Sequence, residues 1–314
     1  MVPEIIAIGE PMLEFNATEE GSLAEVRTFQ TGWGGDTSNF CIAASRAGGR
    51  VGYITRLGED DFGRSFLDLW TREGIDTSRV QRDPEASTGI YFISRKGPEH
   101  FFTYYREGSA ASLMTPDFLP GDYIRQAKIL HVSGISQAIS TKACDTVFAA
   151  MEIARDAGVK ISYDPNLRLK LWPVHRARAV IEKSIAMSDL VFPSLDDATA
   201  LTGLSDPETI ARRYLDLGPE VVVIKLGAEG VLLAQNTAGG PIFTPVPAFG
   251  VDSVDMAGAG DTFDGAFIAE YLRGQTPEDC ARYANAAAAL TTTGYGCVSP
   301  VPTREQVELL MASR

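Results

Sequence analysis

Along this chain, short apolar runs of strand length alternate with longer segments that place apolar residues on one face of a helix. EIIAIGE reads as a short buried strand ended by Gly9. NFCIAASRAGG reads as a helix closed by glycine, and RVGYITRLG as the next strand. Further on, KILHVSG is a strand and Cys144 to Ala157 a helix. Val147, Ala150, Met151 and Ala154 share one face of it, and Gly158 is its stop. VKISYD, ARAVIEKSIAMS and DLVFPS repeat strand, helix and strand. VVVIKLG is almost continuously apolar, as a strand is when helices cover both faces. The pattern predicts an α/β fold, a mostly parallel sheet with helices on both faces.

Two regions break the alternation. Residues 11–33 and 87–107 show no clear helix and are rich in aromatic and β-branched residues, and the second reads as a hairpin turned at Lys96 to Glu99. They are expected either as an antiparallel edge of the main sheet or as a small β-sheet standing off it as a lid. With no internal repeat and no low-complexity linker, residues 1–314 are expected to form one domain carrying these lid segments.

Composition narrows the class. The chain has 314 residues, and 28 Lys and Arg against 41 Asp and Glu give a formal charge of −13. That balance argues against a nucleic-acid surface, which needs many cations to neutralise phosphates. Cys41, Cys144, Cys280 and Cys297 are widely spaced, and with only His100, His131 and His175 besides, a zinc site has little support. Buried free thiols, an N-terminus unlike a signal peptide and no apolar run of membrane length lead to the expectation of a cytoplasmic protein.

In an open parallel sheet, ligands bind beyond the carboxyl ends of the strands. Glu10 and Glu14 follow the first strand. Asp164, Asn166 and Arg168 follow ISY; Ser194, Asp196 and Asp197 follow LVF; Gly227 and Gly230 follow VVVIK. VDMAGAGDTFDGAFIAEYL, Val254 to Leu272, sets Gly258, Ala259 and Gly260 directly before a helical pattern. One reading is a turn capped by Asp261. The other is an anion site, because the first turn of a helix has unpaired N–H groups and glycines let a phosphate approach them. No GxxxxGK[ST] loop, GxGxxG fingerprint or Gly-x-Ser-x-Gly elbow occurs. A carboxylate beside a glycine anion site suits phosphoryl transfer, the helix terminus stabilising charge while Asp261 takes a proton from the attacking hydroxyl.

DMAGAGDTF resembles the DTTGAGD-x-F signature of the ribokinase-like sugar kinases, and GGDTSNFCIAASRAG (Gly34 to Gly48) is similar to their N-terminal GG-x-x-x-N-x-A signature. GEDDFG, DPNLR and VIKLGAEG also match, so the resemblance covers essentially the whole chain. It implies Rossmann-like α/β layers with a β lid that forms a dimer contact, and transfer of the γ-phosphoryl of ATP to a sugar hydroxyl with Mg²⁺. It implies Asp261 as general base and the N–H groups of Gly258, Ala259 and Gly260 as anion hole. Gly34, Gly35 and Asn39 would contact the sugar, and Lys225, Gly227, Gly230 and Asn285 would lie on the nucleotide side. The chain departs from the family at Met256 and Ala257, which replace two threonines. The metal-side N-x-x-E motif becomes SLDD, with Ser194 for Asn and the shorter Asp197 for Glu, so Asp197 would reach Mg²⁺ through water. A monovalent cation such as K⁺ near Asp252 and the Gly294–Gly296 loop would assist the anion hole.

For the substrate, GEPMLEF and FTYYREGSAAS resemble the 2-keto-3-deoxygluconate kinases. That resemblance implies a sugar acid whose carboxylate meets Arg106 and Arg168, with Tyr91 and Tyr104 beside them, and whose 6-hydroxyl faces Asp261. Arginine offers a forked, permanently charged partner for a carboxylate. An arginine on a hairpin is, however, ordinarily a solvated edge residue, and fructose is the alternative substrate. From other classes, a non-catalytic sugar-binding regulator and a nicotinamide oxidoreductase are weaker readings, the first disfavoured by Asp261 and the second by the missing fingerprint.

Overall fold

A computed structural model of the chain describes residues 2–97 and 99–313, and of His100 the backbone alone. The main sheet begins with β1 (Ile5–Ile8), the buried run of the first strand. Beside it on one side lie β4 (Val51–Gly58) and β5 (Val80–Asp83), and on the other β8 (Ile129–Ser133), β9 (Lys160–Asp164), β10 (Leu190–Val191) and β11 (Val221–Lys225), all parallel. The hairpin β12 (Val231–Thr237) and β13 (Gly240–Val246) closes the β11 edge antiparallel. The expected mostly parallel sheet is therefore present, and that hairpin is its antiparallel edge.

Strand periodicity shows why both faces are covered. Ile5 and Ala7 join one apolar cluster with Phe40, Trp70 and Phe267, whereas Ile6 and Ile8 join another with Met151, Ile161 and Ile181. Val221 and Val223 divide from Val222 and Ile224 in the same way. Successive side chains point to opposite faces, so a strand with no polar alternation must meet a helix layer on each side. Each fully buried Ile adds about 2 kcal/mol of hydrophobic stabilisation. The helix expected from Cys144 to Ala157 runs Thr141–Asp156, because Ser140 caps it by accepting from the Ala143 N–H at 2.9 Å. Its four expected core residues are all fully buried.

The two irregular regions form a separate four-stranded sheet. Its strands are β2 (Met12–Ala17), β3 (Phe29–Gly34), β6 (Gly89–Lys96) and β7 (Glu99–Tyr105), in the order β3-β2-β6-β7. β2 pairs parallel with β6, while β6 and β7 form the expected hairpin; Pro98 of its turn lies outside the described residues. The order of the main sheet reverses at β1, with β4 on one side and β8 on the other. Such a switch point opens a crevice beyond the strand ends.

A candidate active site at the switch point

The helix Asp36–Arg46 begins three residues earlier than its apolar pattern indicates, with Gly35 at φ 102° as its cap. That start puts Asp36 at the head of the crevice. The carboxylate accepts from the Thr37 N–H at 2.8 Å, from Asn166 Nδ2 at 3.1 Å and from Ser133 Oγ. Asn166 has φ 36°, an uncommon conformation for a residue other than glycine. It is held by its own N–H on Asp164 Oδ1 at 3.1 Å. Sequence reading missed Asp36 as a site residue, although it lies inside the quoted glycine signature.

The glycine stretch folds as a tight entry to the helix Ala259–Leu272. Gly258, at φ 74°, is the cap, and no side chain caps the helix, so Asp261 is a first-turn residue and not the capping residue. A Cβ on Gly258 would stand 2.9 Å from the Cys297 carbonyl oxygen, a second reason for glycine there. Asp255 braces the approach, accepting from the N–H groups of Ala257 and Gly296, each at 3.0 Å. Asp261 Oδ2 accepts from Asn39 Nδ2 at 2.8 Å. Burial, then the neighbouring charge of Asp36, pushes the Asp261 carboxyl up to about 7, against the pull of Asn39.

Two adjoining clefts meet at this residue. One, of about 620 Å³, is lined by Asp164, Ser194, Lys225, Gly227, Met256 and Gly260 among others. The second, of about 690 Å³, lies against the small sheet and is lined by Glu10, Gly35, Asp36, Tyr91, Tyr104 and Arg106 among others. Asn166, Arg168, Asp196, Asp197, Ala257, Gly258 and Asp261 line both. The expected residues Gly35, Tyr91, Tyr104, Arg106, Arg168, Gly258 and Asp261 thus surround one space.

Arg106 is not a solvated edge residue. Its side chain is 10% exposed, its Nε donates to Glu10 Oε2 at 2.7 Å, and its guanidinium lies 5.8 Å from the Tyr104 ring. Ser109 Oγ donates to the other Glu10 oxygen. Tyr104 and Tyr105 alternate faces as expected, but neither is core: Tyr105 is largely exposed and Tyr104 faces the cleft. Tyr91 stacks on Tyr104 and donates to Glu14 Oε2 at 2.5 Å; burial raises the Glu14 carboxyl in spite of that bond. Gly34 gives this tyrosine room, since a Cβ there would lie 2.5 Å from its hydroxyl.

Some expected site residues stand behind the clefts. Asn39 reaches them only through Asp261. Asn285 is buried and donates to the carbonyls of Val246 and Pro247 at 3.0 and 3.1 Å. Gly230, at φ 100°, packs against the same segment. Ser194 and Asp197 do line a cleft, and Ser194 caps the helix Leu195–Thr202 by accepting from the Asp197 N–H at 3.1 Å. Asp197 itself accepts from the Leu167 N–H, and burial, then the charge of Asp164, raises its carboxyl. Among the described residues no three His, Cys, Asp or Glu side chains converge as metal ligands. Aspartates that line the first cleft without converging suit Mg²⁺, which keeps water and takes much of its coordination from phosphate oxygens.

Comparison with known proteins agrees with this geometry. The sequence pattern described as "pfkB family carbohydrate kinase" matches residues 2–304. The chain is 38% identical to the 2-dehydro-3-deoxygluconokinase of Thermoproteus tenax, over 98% of this chain and 94% of that protein. It is 36% identical to the enzyme of the same name from Bacillus subtilis (strain 168), over 99% and 96%. Among solved structures, an uncharacterized sugar kinase from Pyrococcus horikoshii in complex with ATP superposes with a TM-score of 0.84 at 27% identity, covering 98% of this chain and 99% of that one.

Proposed function

The chain belongs to the pfkB family of carbohydrate kinases, and on that premise we propose that it transfers the γ-phosphoryl of ATP to the 6-hydroxyl of 2-keto-3-deoxygluconate, as one kinase unit over residues 1–314. The observation that carries the reading is Asp261 as the shared wall of two clefts, one beside the glycine turn and one beside buried arginine and tyrosine. ATP lies in the first, its γ-phosphate over the N–H groups of the Gly258–Gly260 turn, where a helix N-terminus favours an anion. The sugar acid lies in the second, its carboxylate on Arg106 and Arg168 and its far hydroxyl on Asp261. Asp261 accepts the hydroxyl proton; a base with a value near the working pH does so efficiently. Tyr91 and Tyr104 give the sugar an apolar wall and exclude water.

Mg²⁺, reached by Asp197 through water, would neutralise charge on the phosphates. Support for the carboxylate site is the burial of Arg106. Glu10 holds it beside the second cleft, its Oε2 accepting from Nε at 2.7 Å and pairing with a terminal nitrogen as well. A dimer through the small sheet belongs to the same proposal, supported by Phe101, Phe102 and Tyr105, which are 48%, 42% and 63% exposed on its edge strand. So does a monovalent cation near Asp252, where the Gly296 N–H on Asp255 links the 294–296 loop to the turn.

ADP release with Mg²⁺-ATP tests the reading against 2-keto-3-deoxygluconate, its galactonate epimer, fructose, ribose and adenosine. Turnover on the keto-acids is expected, with a 6-phosphate ester as product by ³¹P NMR. Arg106→Ala is expected to raise KM for the sugar acid at least tenfold and leave KM for ATP unchanged. Preferential turnover of fructose would overturn the sugar-acid assignment and keep the base.

A further inference from the structure

Glu14 has no part in the mechanism above. It is buried, lines neither cleft, and stands on β2 opposite Tyr91 of β6, which in turn is opposite Tyr104 of β7. Residues opposite one another across strands share a face of the sheet, so the three side chains form one row. Tyr91 and Tyr104 line the second cleft, and Glu14 stands behind them. A carboxylate withdrawn from water is unfavourable unless it is hydrogen-bonded. Burial raises the Glu14 carboxyl and Asp255 adds repulsion, while bonds from Tyr91 and Asn16 favour the charged form.

The bond to Tyr91 limits what that hydroxyl can do. Tyr91 donates to Glu14 Oε2 at 2.5 Å. A carboxylate accepts and cannot donate, so the phenol has used its single proton and keeps only lone pairs for another partner. The phenol is also held in place. Its ring is buried and stacks on Tyr104 with centroids 5.7 Å apart, and the Gly34 backbone lies so close that a Cβ there would stand 2.5 Å from the hydroxyl. The Cys297 thiol on the same cleft wall bears on the phenol, but a thiol is a weak donor that a sugar hydroxyl displaces.

The second cleft is therefore divided by polarity. Arg106 and Arg168 offer donors, whereas Tyr91, Asp36 and Asp261 offer acceptors. The Arg106 guanidinium lies 5.8 Å from the Tyr104 ring, and Tyr91 is the next ring in the row. A 2-keto-3-deoxy acid has only acceptors on its first two carbons, a methylene at the third and hydroxyls from the fourth onward. With its carboxylate on Arg106 and its last carbon at Asp261, the donor that falls to Tyr91 is the hydroxyl on the fourth carbon.

We propose that Glu14 is a positioning residue for sugar recognition: it holds the Tyr91 proton, so that Tyr91 Oη meets the second cleft only as an acceptor and takes a hydrogen bond from the hydroxyl on the fourth carbon of the sugar acid. The inference rests on the sugar-acid reading above. The pair selects by rejection as well as by contact. A carbonyl or an ether at that carbon sets acceptor against acceptor and leaves a buried polar group unpaired. The same polarity orients the chain, because a carboxylate is repelled where Tyr91 and Asp261 present lone pairs.

The test compares wild type, Tyr91→Phe, Glu14→Met, Glu14→Gln and the double variant Glu14→Met/Tyr91→Phe for thermal midpoint and for KM with the sugar acid and with ATP. A second acceptor carries fluorine in place of the fourth-carbon hydroxyl; fluorine accepts weakly and cannot donate. Wild type is expected to favour the parent acid over the fluoro analogue about tenfold in kcat/KM, and Tyr91→Phe to lose most of that preference. Glu14→Met keeps the volume and removes the acceptor. It is expected to raise KM for the sugar acid about three- to tenfold with KM for ATP unchanged, and to narrow the gap between the two acids, because the freed phenol can then donate. Glu14→Gln, whose amide oxygen still accepts, is expected to stay within threefold of wild type. In the Tyr91→Phe background Glu14→Met is expected to add nothing, as for two residues acting through one contact. Effects that multiply, an equal rise in both KM values, or equal use of the two acids by wild type overturns the proposal and leaves Glu14 as a buried structural group. Should Glu14→Met not fold, Tyr91→Phe decides through the fluoro preference. A wild type silent on every acceptor, or active on fructose alone, removes the sugar-acid reading and this inference together, whereas a wild type that uses both acids equally removes only the inference.

Discussion

Asp261 and Asp36 crowd one corner of the crevice, and with burial their repulsion opposes ionisation of Asp261, whose ordinary value is 3.8. As the proposed base, Asp261 would work deprotonated, so kcat/KM is expected to fall about tenfold per pH unit below about 7, with a plateau above it. A pH–rate profile on the free enzyme checks this; a break near 4 would remove Asp36 as the cause. Asp261→Asn is expected to lower kcat by about 10²–10⁴-fold while sugar binding stays within a few-fold. The same substitution has a consequence for stability. The folded carboxyl binds its proton more tightly than the unfolded one, so that contribution is complete below about 3.8 and declines as pH rises through about 7. Asp261→Asn removes the decline, and its melting temperature at pH 8 is expected to exceed that of wild type, the two converging near pH 4. Asp261 was legible because glycines announce its turn. Glu10 as the partner of Arg106 was not, since 96 residues separate them.

At the scale of elements, the turn before the helix Ala259–Leu272 depends on one left-handed glycine. Gly258→Ala places a Cβ against the Cys297 carbonyl in a conformation that disfavours side chains. It is expected to cost more than about 1 kcal/mol in denaturant unfolding. The loss in kcat is expected to exceed the loss in sugar binding, because the N–H groups shift while the second cleft keeps its walls. The strands and their faces followed from periodicity, as Ile5 to Ile8 and Val221 to Ile224 illustrate. Helix starts followed less well. The helix at Asp36 begins on polar residues that an apolar pattern does not register, and its glycine cap is recognisable only by its positive φ.

For the whole molecule, the small sheet supplies Tyr91 and Tyr104 and adjoins Arg106, all of which line the second cleft. It is held to the main body through Trp33, whose Nε1 donates to Ser65 Oγ at 2.9 Å with Arg72 over the ring, and through the edge contact of Phe15 and Phe62. Trp33→Ala is expected to raise KM for the sugar several-fold and leave KM for ATP near the wild-type value. Steady-state kinetics with each substrate varied decides this, and an equal rise in both would mean that the two clefts do not divide the substrates. Among the described residues no helix is long and apolar enough to cross a membrane.

Local order in the chain was enough to determine the α/β class, the strand run at the sheet centre, the glycine turn and the identity of its carboxylate. Each of these rests on residues close in sequence, where backbone periodicity and steric freedom act directly. Pairing across distance was decided only by the folded chain. Asp36 beside Asp261, Glu10 behind Arg106, and Asp164 with Asp264 around Lys225 come together because the sheet order reverses at β1 and brings distant strand ends to one crevice. Burial there lowers the effective dielectric, so these neighbours set the charges of the site. Asn285, which the family resemblance implied on the nucleotide side, shows the same dependence: its amide holds the carbonyls of Val246 and Pro247, a contact nearly forty residues away that no local pattern contains.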